Sequence, residues 1–250
     1  MRAALDRAMT AALQGWADET EAWPAGSHVW GQYAEQTDHG PVICRTENAS
    51  ACHAGLRRLV DDDLREVAAS ALGEEAVAFK DKLNYKHPGG AGFSPHQDLL
   101  AYPGVARVVS ILVAIDECRV DSGCLWMADG VDRLLPVDER GVVLADVAGT
   151  LHWDPVELAP GEAVCIDGLA PHYSEANRSD RPRRVLVASY APASAGYDRD
   201  TYYRARQAVM DEAAANDGRF RISTLADFEG IEVESDATRL DACTHGRRSG

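Results

Sequence analysis

The sequence predicts a mainly β fold with flanking helices, of the sandwich or jelly-roll kind. Two observations carry this expectation. Beyond residue 76 the chain contains many short apolar segments of strand length, separated by turns rich in Gly, Pro and Asp. These segments do not alternate with helical patterns, as the strands of a parallel α/β sheet would. We therefore expect antiparallel strands packed in two layers.

Two helical patterns precede the strands. Apolar residues recur at helical spacing between residues 5 and 16, and again from about residue 51 to residue 72. No internal repeat or linker interrupts the chain, so residues 1–250 are expected to form a single domain. Its predicted parts are a helical N-terminal part at 1–75, a barrel core at 76–191, and a C-terminal helix and polar tail at 192–250.

The first predicted strand, residues 77–85, has two chemically different faces. Its bulky apolar residues and its polar residues alternate, as the two-residue period of a strand requires. The apolar face consists of Phe79, Leu83 and Tyr85, and the polar face of Lys80, Lys82 and Asn84. The further predicted strands are 105–115, 124–128, 142–147, 163–166 and 183–191.

Composition and charge exclude several classes of partner. The formal net charge of −15 disfavours binding to nucleic acids and to anionic membrane surfaces. No apolar run is long enough to cross a membrane, and residues 1–20 lack the pattern of a secretory signal, so we expect a cytoplasmic protein. The six cysteines, at 44, 52, 118, 124, 165 and 243, show no metal-binding spacing. They are expected to be unreactive thiols.

The most informative motif is His96-Gln97-Asp98, followed 74 residues after Asp98 by His172. Two imidazoles and one carboxylate are the ligands of the facial triad that holds non-haem Fe(II) and leaves coordination positions open. About five short strands fit between Asp98 and His172, which is enough for the chain to return across a barrel mouth. We therefore predict that these three residues bind one metal ion and are catalytic.

A second His-x-Asp motif, His152-Trp153-Asp154, competes with the first. Only a hairpin fits between Asp154 and His172, and the other histidine beyond it, His245, lies in the polar tail. We expect His152 to lie at the surface or at the rim of a pocket.

Two adjacent arginines follow the distal histidine. Arg183 and Arg184 open the last predicted strand, so they lie on opposite faces of it. A guanidinium binds carboxylates in a bidentate manner, and one of the two is suited to the far carboxylate of a keto-acid co-substrate. The strand period alone allows either to face inward.

Together these segments resemble the phytanoyl-CoA dioxygenase (PhyH) family. The resemblance rests on the run Lys80-Asp81-Lys82-Leu83-Asn84-Tyr85-Lys86, on His96-Gln97-Asp98, and on Pro171-His172-x-Ser174-x-x-Asn177-x-Ser179-x-x-x-Arg183-Arg184. It covers about residues 76–191. It implies a double-stranded β-helix, which is a jelly-roll and cupin-like fold, and it implies Fe(II), 2-oxoglutarate and molecular oxygen as cofactor and co-substrates.

The resemblance also assigns roles to single residues. It implies that Arg183 grips the 2-oxoglutarate carboxylate with help from Ser174, and that Lys82 and Asn84 supply further co-substrate contacts. Where relatives usually have Pro-Gly-Ser-His after the Gly-Cys-Leu strand, this chain has Ala128-Asp129-Gly130-Val131. This departure alters one rim of the predicted active site.

The predicted function is hydroxylation of an unactivated C–H bond in a small metabolite, with release of succinate and CO2. Because Asp98 is a carboxylate, hydroxylation is expected in place of the chlorination seen in related iron halogenases. Family analogy allows a phosphonate, an amino-acid-like molecule or a natural-product intermediate as substrate. The alternatives are a cupin-like isomerase or lyase that does not use 2-oxoglutarate, and a non-catalytic binding barrel. Hydrolase and nucleotide-binding motifs are absent from the sequence, and the sequence leaves the oligomeric state open.

Overall fold

Two antiparallel β-sheets form the body of the protein, as the sequence predicts. The computed structural model describes residues 1–23, 31–216 and 228–233. The larger sheet has eight strands and the smaller has four. The strands are β1 (Arg2–Ala4), β2 (Gly31–Thr37), β3 (Gly40–Glu47), β4 (Ala76–Lys86), β5 (Phe93–His96), β6 (Val109–Ala114), β7 (Leu125–Met127), β8 (Asp154–Val156), β9 (Glu162–Asp167), β10 (His172–Ser174), β11 (Arg183–Pro192) and β12 (Ile231–Val233).

The order of the strands is that of a jelly roll. The large sheet runs β1-β9-β6-β11-β4-β3-β2-β12, and the small sheet runs β5-β10-β7-β8. Strands that are distant in sequence therefore lie side by side, and β10 returns next to β5. This return is what brings the second half of the chain back to residues 93–96.

Five helices flank the sheets. They are α1 (Arg7–Glu21), α2 (Ala54–Arg58), α3 (Leu64–Leu72), α4 (Ala145–Ala148) and α5 (Arg199–Asn216). Helix α1 begins at Asp6, whose carboxylate accepts the Met9 backbone N–H at 2.7 Å. Helix α3 ends at Gly73, which adopts a left-handed conformation with φ of 75°. A wide π-type turn, Leu59–Asp63, joins α2 to α3.

The main core lies between the helices and the outer face of the large sheet. Helices α1, α2 and α3 contribute leucines to it, among them the fully buried Leu13 and Leu56. The sheet contributes Leu83 and Tyr85 of β4 together with residues of β6 and β11. The alternation predicted for β4 is therefore present at Leu83 and Tyr85, but it is wrong at Phe79. An irregularity in the β4–β11 register lies opposite residues 78–80, and Phe79 packs in a separate cluster with Tyr102 and Tyr202.

The inner face of the large sheet packs against the small sheet. Apolar residues of β6, β9 and β11, such as Leu112, Ile166 and Val187, contact Leu125 and Met127 of β7. The opposite face of β4 is polar, so this packing leaves a cavity beside it. That cavity holds the predicted site.

We expected a helical N-terminal part at residues 1–75, but strands also lie there. Residues 31–47 form the hairpin of β2 and β3, which extends the large sheet beyond β4. Residues 142–147 were predicted to be a strand, but they form one isolated bridge at Val143 and the start of helix α4. Val143 is nevertheless buried.

The C-terminal helix was predicted near residues 202–214 and spans Arg199–Asn216. The polar tail falls on 217–227 and 234–250, which lie outside the described residues. Among the described residues, no helix combines the length and the apolar character needed to cross a bilayer.

Candidate metal centre and active site

His96, Asp98 and His172 converge at the mouth between the two sheets. The Nε2 atoms of His96 and His172 lie 3.9 Å and 3.8 Å from Oδ1 of Asp98. All three donor atoms lie within 4.8 Å of one another. Within the described part of the chain this is the only group of His, Cys, Asp and Glu side chains with such a spacing. Two imidazole nitrogens and one carboxylate oxygen match the donor set of non-haem Fe(II).

Strand pairing positions the two histidines. His96 ends β5 and His172 begins β10, and the two residues are directly opposite each other in the antiparallel ladder. Their ring centroids are 4.3 Å apart. Asp98 opens the short 3-10 turn Asp98–Ala101, which directs its carboxylate back toward the histidines.

Hydrogen bonds behind the three side chains fix their orientation. The Nδ1 atom of His96 lies 2.7 Å from the Ser94 carbonyl oxygen, and Nδ1 of His172 lies 3.0 Å from that of Ala170. A carbonyl accepts only, so each Nδ1 carries the proton and each Nε2 presents its lone pair to the centre. The Ser110 hydroxyl donates to Oδ2 of Asp98 at 2.9 Å, leaving Oδ1 for a metal.

The protonation states suit metal binding. Burial and the neighbouring His172 lower the pKa of His96 to about 3, so the imidazole is neutral. Burial alone would raise the pKa of Asp98, but His172 and Lys82 hold it below its usual range. A neutral imidazole and an ionised carboxylate are the forms that bind a metal.

Gln97, between two of the candidate ligands, anchors the surrounding loops. Its side chain is 2% exposed. Its amide nitrogen donates to the carbonyl oxygens of Arg133 and Leu169, and its carbonyl oxygen accepts the Leu135 N–H at 2.7 Å. It therefore ties the segment 133–135 to the metal centre. This segment follows residues 128–131, where the sequence departs from the family pattern.

The second His-x-Asp motif lies at the surface. Nε2 of His152 is 3.4 Å from Oδ1 of Asp154, but the two side chains are 89% and 66% exposed. No third ligand lies near them among the described residues. This agrees with the expectation that His152 is a surface residue.

A second polar group lies at the end of the cavity formed by β4, β10 and β11. Ser174 follows His172 on β10, and its hydroxyl oxygen is 2.9 Å from Nζ of Lys86. Arg183 is the direct partner of Lys86 in the β4–β11 ladder. One terminal nitrogen of the Arg183 guanidinium donates to the Gly123 carbonyl at 2.6 Å, while its Nε is buried without an acceptor.

This arrangement suits a carboxylate. Two cations, a hydroxyl and an unpaired guanidinium N–H face one small space, and a buried N–H without a partner is costly. Burial lowers the pKa of both Lys86 and Arg183, so an anion placed between them would be strongly favoured. Lys86 belongs to the motif that carried the family resemblance, but sequence reasoning gave it no role.

Gly123 is required where its carbonyl accepts from Arg183. Its φ is 72°, and a Cβ added there would lie 2.3 Å from the Glu175 carbonyl oxygen. Only glycine has both the conformational freedom and the size for this position.

Arg184 faces the other way. Its guanidinium forms a bidentate pair with Asp116, at 2.7 Å and 3.0 Å, and also contacts Asp18 of helix α1. The hydrogen bonds that Arg184 donates to Asp116 raise the pKa of its guanidinium further. Of the two arginines, Arg183 is therefore the one that reaches the cavity.

Lys82 and Asn84 lie between Lys80 and Lys86 on β4, and they line the same cavity. The amide oxygen of Asn84 accepts the Nε–H of Arg45 at 3.0 Å. Arg45 lies on β3 with its guanidinium over the rings of Tyr33 and Phe93, at 6.0 Å and 5.5 Å from their centroids. Whether Lys82 and Asn84 contact the co-substrate stays a prediction.

Helix α5 closes another side of the cavity. Tyr202 and Arg206, four residues apart and so on one helix face, both line it. Arg206 lies 3.2 Å from the fully buried carboxylate of Glu47, and Tyr202 donates to the same carboxylate at 3.2 Å. Sequence reasoning missed this network, although the spacing of the two helix residues is a visible signal.

Glu35 is a further lining residue that the sequence did not indicate. It is 2% exposed, and its carboxylate accepts the Ala91 N–H at 3.0 Å. Burial raises the pKa of this carboxyl group. Apart from Asp98, it is the only acidic side chain among the described residues of the lining.

The sequence profile of the phytanoyl-CoA dioxygenase (PhyH) family matches residues 1–185, about three quarters of the chain. The chain belongs to the PhyH family. Membership confirms the expected enzyme class. The protein is a 2-oxoglutarate-dependent dioxygenase that uses Fe(II) and molecular oxygen. This class excludes the two alternatives, an isomerase or lyase without 2-oxoglutarate and a non-catalytic barrel.

Two relatives of this PhyH protein are similar over most of their length. The chain is 34% identical over 230 residues to a methylphosphonate hydroxylase of Gimesia maris, covering 90% of this chain and 88% of the relative. It is 34% identical over 223 residues to a 2-aminoethylphosphonate dioxygenase of an uncultured bacterium, covering 86% and 85%. Among solved structures, the epimerase SnoN, crystallised with Fe3+ and α-ketoglutarate, shares the fold with a TM-score of 0.64 at 19% identity, covering 76% of each chain.

Proposed function

We propose that this PhyH protein hydroxylates a C–H bond of a small phosphonate. The observation that carries the proposal is the charge of the cavity. Among the described residues, six cationic side chains line it, against two carboxylates, in a chain whose net charge is −15. The cations are Arg45, Lys80, Lys82, Lys86, Arg183 and Arg206.

The co-substrate accounts for only part of this positive charge. The far carboxylate of 2-oxoglutarate is matched by Arg183, Lys86 and Ser174, and Arg206 is neutralised by Glu47. Lys80, Lys82 and Arg45 remain on the lining of β4 and β3. A phosphonate is small and carries up to two negative charges, which is the chemistry that such a surplus recognises. The two relatives described above act on phosphonates according to their names.

The described residues fit the metal and the co-substrate. His96, Asp98 and His172 would hold Fe(II), and Arg183 with Ser174 would orient 2-oxoglutarate toward it, as the sequence predicts. When bound, the metal and 2-oxoglutarate would together activate molecular oxygen, so that one oxygen atom enters the C–H bond as hydroxyl and the other enters succinate, with release of CO2. Because Asp98 supplies a carboxylate ligand, no anion site opens at the metal, and hydroxylation is the expected outcome.

The protein itself contributes position and a water-poor environment. Leu112, Ile166 and Val187 form an apolar wall on the β6–β9–β11 side of the cavity. The cations stand on the β4 and β3 side. A phosphonate held there presents its carbon chain to the metal centre, and this orientation selects the bond that reacts.

A substrate screen tests the proposal. Purified protein with Fe(II), 2-oxoglutarate and ascorbate should release succinate in a substrate-dependent manner with methylphosphonate or 2-aminoethylphosphonate. Carboxylate analogues of the same size, acetate and β-alanine, should give only the background rate. If the protein oxidises a carboxylate or a neutral scaffold but no phosphonate, the proposed substrate class is wrong.

The neighbouring arginines provide a matched test of the co-substrate site. Arg183→Met should weaken 2-oxoglutarate binding by about 30-fold or more, because it leaves the carboxylate without its fork. Arg184→Met should leave that binding unchanged and instead destabilise the fold by about 2 kcal/mol, because it breaks a charged bidentate pair. Equilibrium binding and thermal unfolding separate the two effects. An unchanged affinity in Arg183→Met would remove Arg183 from the site.

A further inference from the structure

The lysines of this protein occupy one strand only. Of the 25 basic residues, three are lysines, Lys80, Lys82 and Lys86, and all others are arginines. The three positions differ by even numbers on β4, so their side chains share one face of the strand. All three line the active-site cavity. An ammonium group is a compact charge with three donors, which suits a tetrahedral oxyanion as well as a planar carboxylate.

Two of the three lysines have clear partners. Nζ of Lys86 is 2.9 Å from Ser174 Oγ, and it lies next to Arg183 at the co-substrate end. Nζ of Lys80 is 3.4 Å from the Tyr102 hydroxyl and lies over the rings of Tyr102 and Tyr202, at 5.4 Å and 5.2 Å. Lys80 therefore has aromatic partners, and Lys86 belongs to the group that suits the co-substrate carboxylate.

Lys82 has no such partner. Its ammonium forms no hydrogen bond and no ion pair with any described residue, although it lines the cavity. Its β3 neighbour Glu47 is directly opposite in the ladder, but that carboxylate lies 3.2 Å from Arg206. The other carboxylate that acts on it electrostatically, Asp98, is a candidate metal ligand.

Arg45 is opposite Asn84 in the β3–β4 ladder, so it is diagonal to Lys82 on the neighbouring strand. After burial, the charge of Arg45 is the largest cause that holds the pKa of Lys82 well below its usual range. Both side chains line the cavity, and an anion that contacts both relieves the repulsion between their charges. The pair therefore has the character of a binding site for a doubly charged anion.

This pair lies apart from Lys86, Arg183 and Ser174, which together form the proposed co-substrate clamp. Lys82 and Lys86 are four residues apart, which is about 13 Å along a strand. Arg45 is on β3, one strand further from β11 and Arg183. An anion that contacts both Lys82 and Arg45 therefore lies on the opposite side of β4 from the clamp.

We infer that Lys82 and Arg45 bind the phosphonate group of the substrate, while Lys86 and Arg183 are left to 2-oxoglutarate. The inference rests on the proposed function and gives Lys82 a role different from the co-substrate contact expected from the sequence. It makes Lys82 and Arg45 the residues that determine specificity for phosphonates over carboxylates.

The presence of only three lysines allows a direct test in the unmodified protein. Labelling with [13Cε]lysine gives three methylene signals, which single Lys→Arg variants assign. With Zn(II) as a diamagnetic stand-in for iron, 2-oxoglutarate should shift the Lys86 signal most. Subsequent methylphosphonate or 2-aminoethylphosphonate should shift the Lys82 signal and leave Lys86 nearly unchanged. A Lys82 signal that responds to 2-oxoglutarate but not to bound phosphonate overturns the inference.

Variants provide the second measurement. Lys82→Met should raise the Kd of the phosphonate by at least about 30-fold and change that of 2-oxoglutarate by less than about threefold. Lys86→Met should show the reverse, and Arg58→Met, which removes an exposed cation of helix α2, should change neither. If phosphonates are oxidised but Lys82→Met binds them normally, the inference fails and the proposed function stands. If no phosphonate is oxidised, the proposed function fails and the inference fails with it.

Discussion

The chain contains two His-x-Asp motifs that are alike in sequence and opposite in structure. His96-Gln97-Asp98 lies at the end of β5, where His172 of the neighbouring strand completes a cluster of three donors. In the second motif, His152 and Trp153 precede the edge strand β8, and Asp154 begins it. The imidazole and the carboxylate of this motif are exposed to solvent. The difference is not in the motif but in what the fold brings to it. A third donor, buried surroundings and fixed tautomers make the first motif the candidate metal site.

The largest difference between the motifs should appear in metal binding. His172→Ala or Asp98→Ala should weaken Fe(II) binding by more than about 100-fold, because each removes one of three ligands. His152→Ala should bind Fe(II) as the wild type does, because Asp154 is the only ion-pair partner of the imidazole among the described residues. Anaerobic equilibrium dialysis measures both. Equal losses of Fe(II) affinity in His152→Ala and His172→Ala would contradict the difference between the two motifs.

The middle residues of the two motifs should differ next. Gln97→Ala should destabilise the fold by about 2 kcal/mol, because it leaves carbonyl and N–H groups of two loops without partners. It should also lower Fe(II) affinity by about 10-fold or more, as loss of a supporting residue does.

Trp153→Phe is the matched change in the other motif. It removes one hydrogen bond, from the indole to the Ala148 carbonyl at 3.0 Å, and should cost less than about 1 kcal/mol. Denaturant unfolding compares the two variants. If Trp153→Phe is the more damaging, Gln97 does not anchor the loops around the centre.

The smallest expected effect concerns the support of the carboxylate. Ser110→Ala removes the donor to Oδ2 of Asp98 and should lower Fe(II) affinity by about 10-fold. Ser189→Ala removes the partner of Ser110, at 3.0 Å, without touching Asp98 and should lower it by less than about threefold. Fe(II) titration distinguishes the two. An effect of Ser189→Ala as large as that of Ser110→Ala would show that the hydroxyl pair acts through packing and not through Asp98.

Much of the candidate site could be predicted from the sequence because its residues form recognisable motifs. The triplet at 96–98, the histidine at 172 and the alternation on β4 are visible as residue types at fixed spacing. The choice between Arg183 and Arg184 needed the family resemblance, since a strand period allows either. The structure places Arg183 in the cavity and pairs Arg184 with Asp116.

The parts that were missed lack such local signals. Strand β2 was not predicted because its residues are mostly polar and Glu35 faces a polar cavity, so the usual apolar alternation is absent. Residues 142–147 show the opposite error: a short apolar run is compatible with strand or helix, and here it forms a bridge and a helical turn. Arg45 reaches the cavity only through tertiary packing, which no window of sequence reveals.

The central claim is that His96, Asp98 and His172 hold one Fe(II) ion to which 2-oxoglutarate binds. Anaerobic addition of Fe(II) and then 2-oxoglutarate to the protein should produce a visible charge-transfer band that saturates at one iron per chain. The band should be retained in His152→Ala and absent in His172→Ala. A band of full intensity in His172→Ala, or none in the wild type, would contradict the claim.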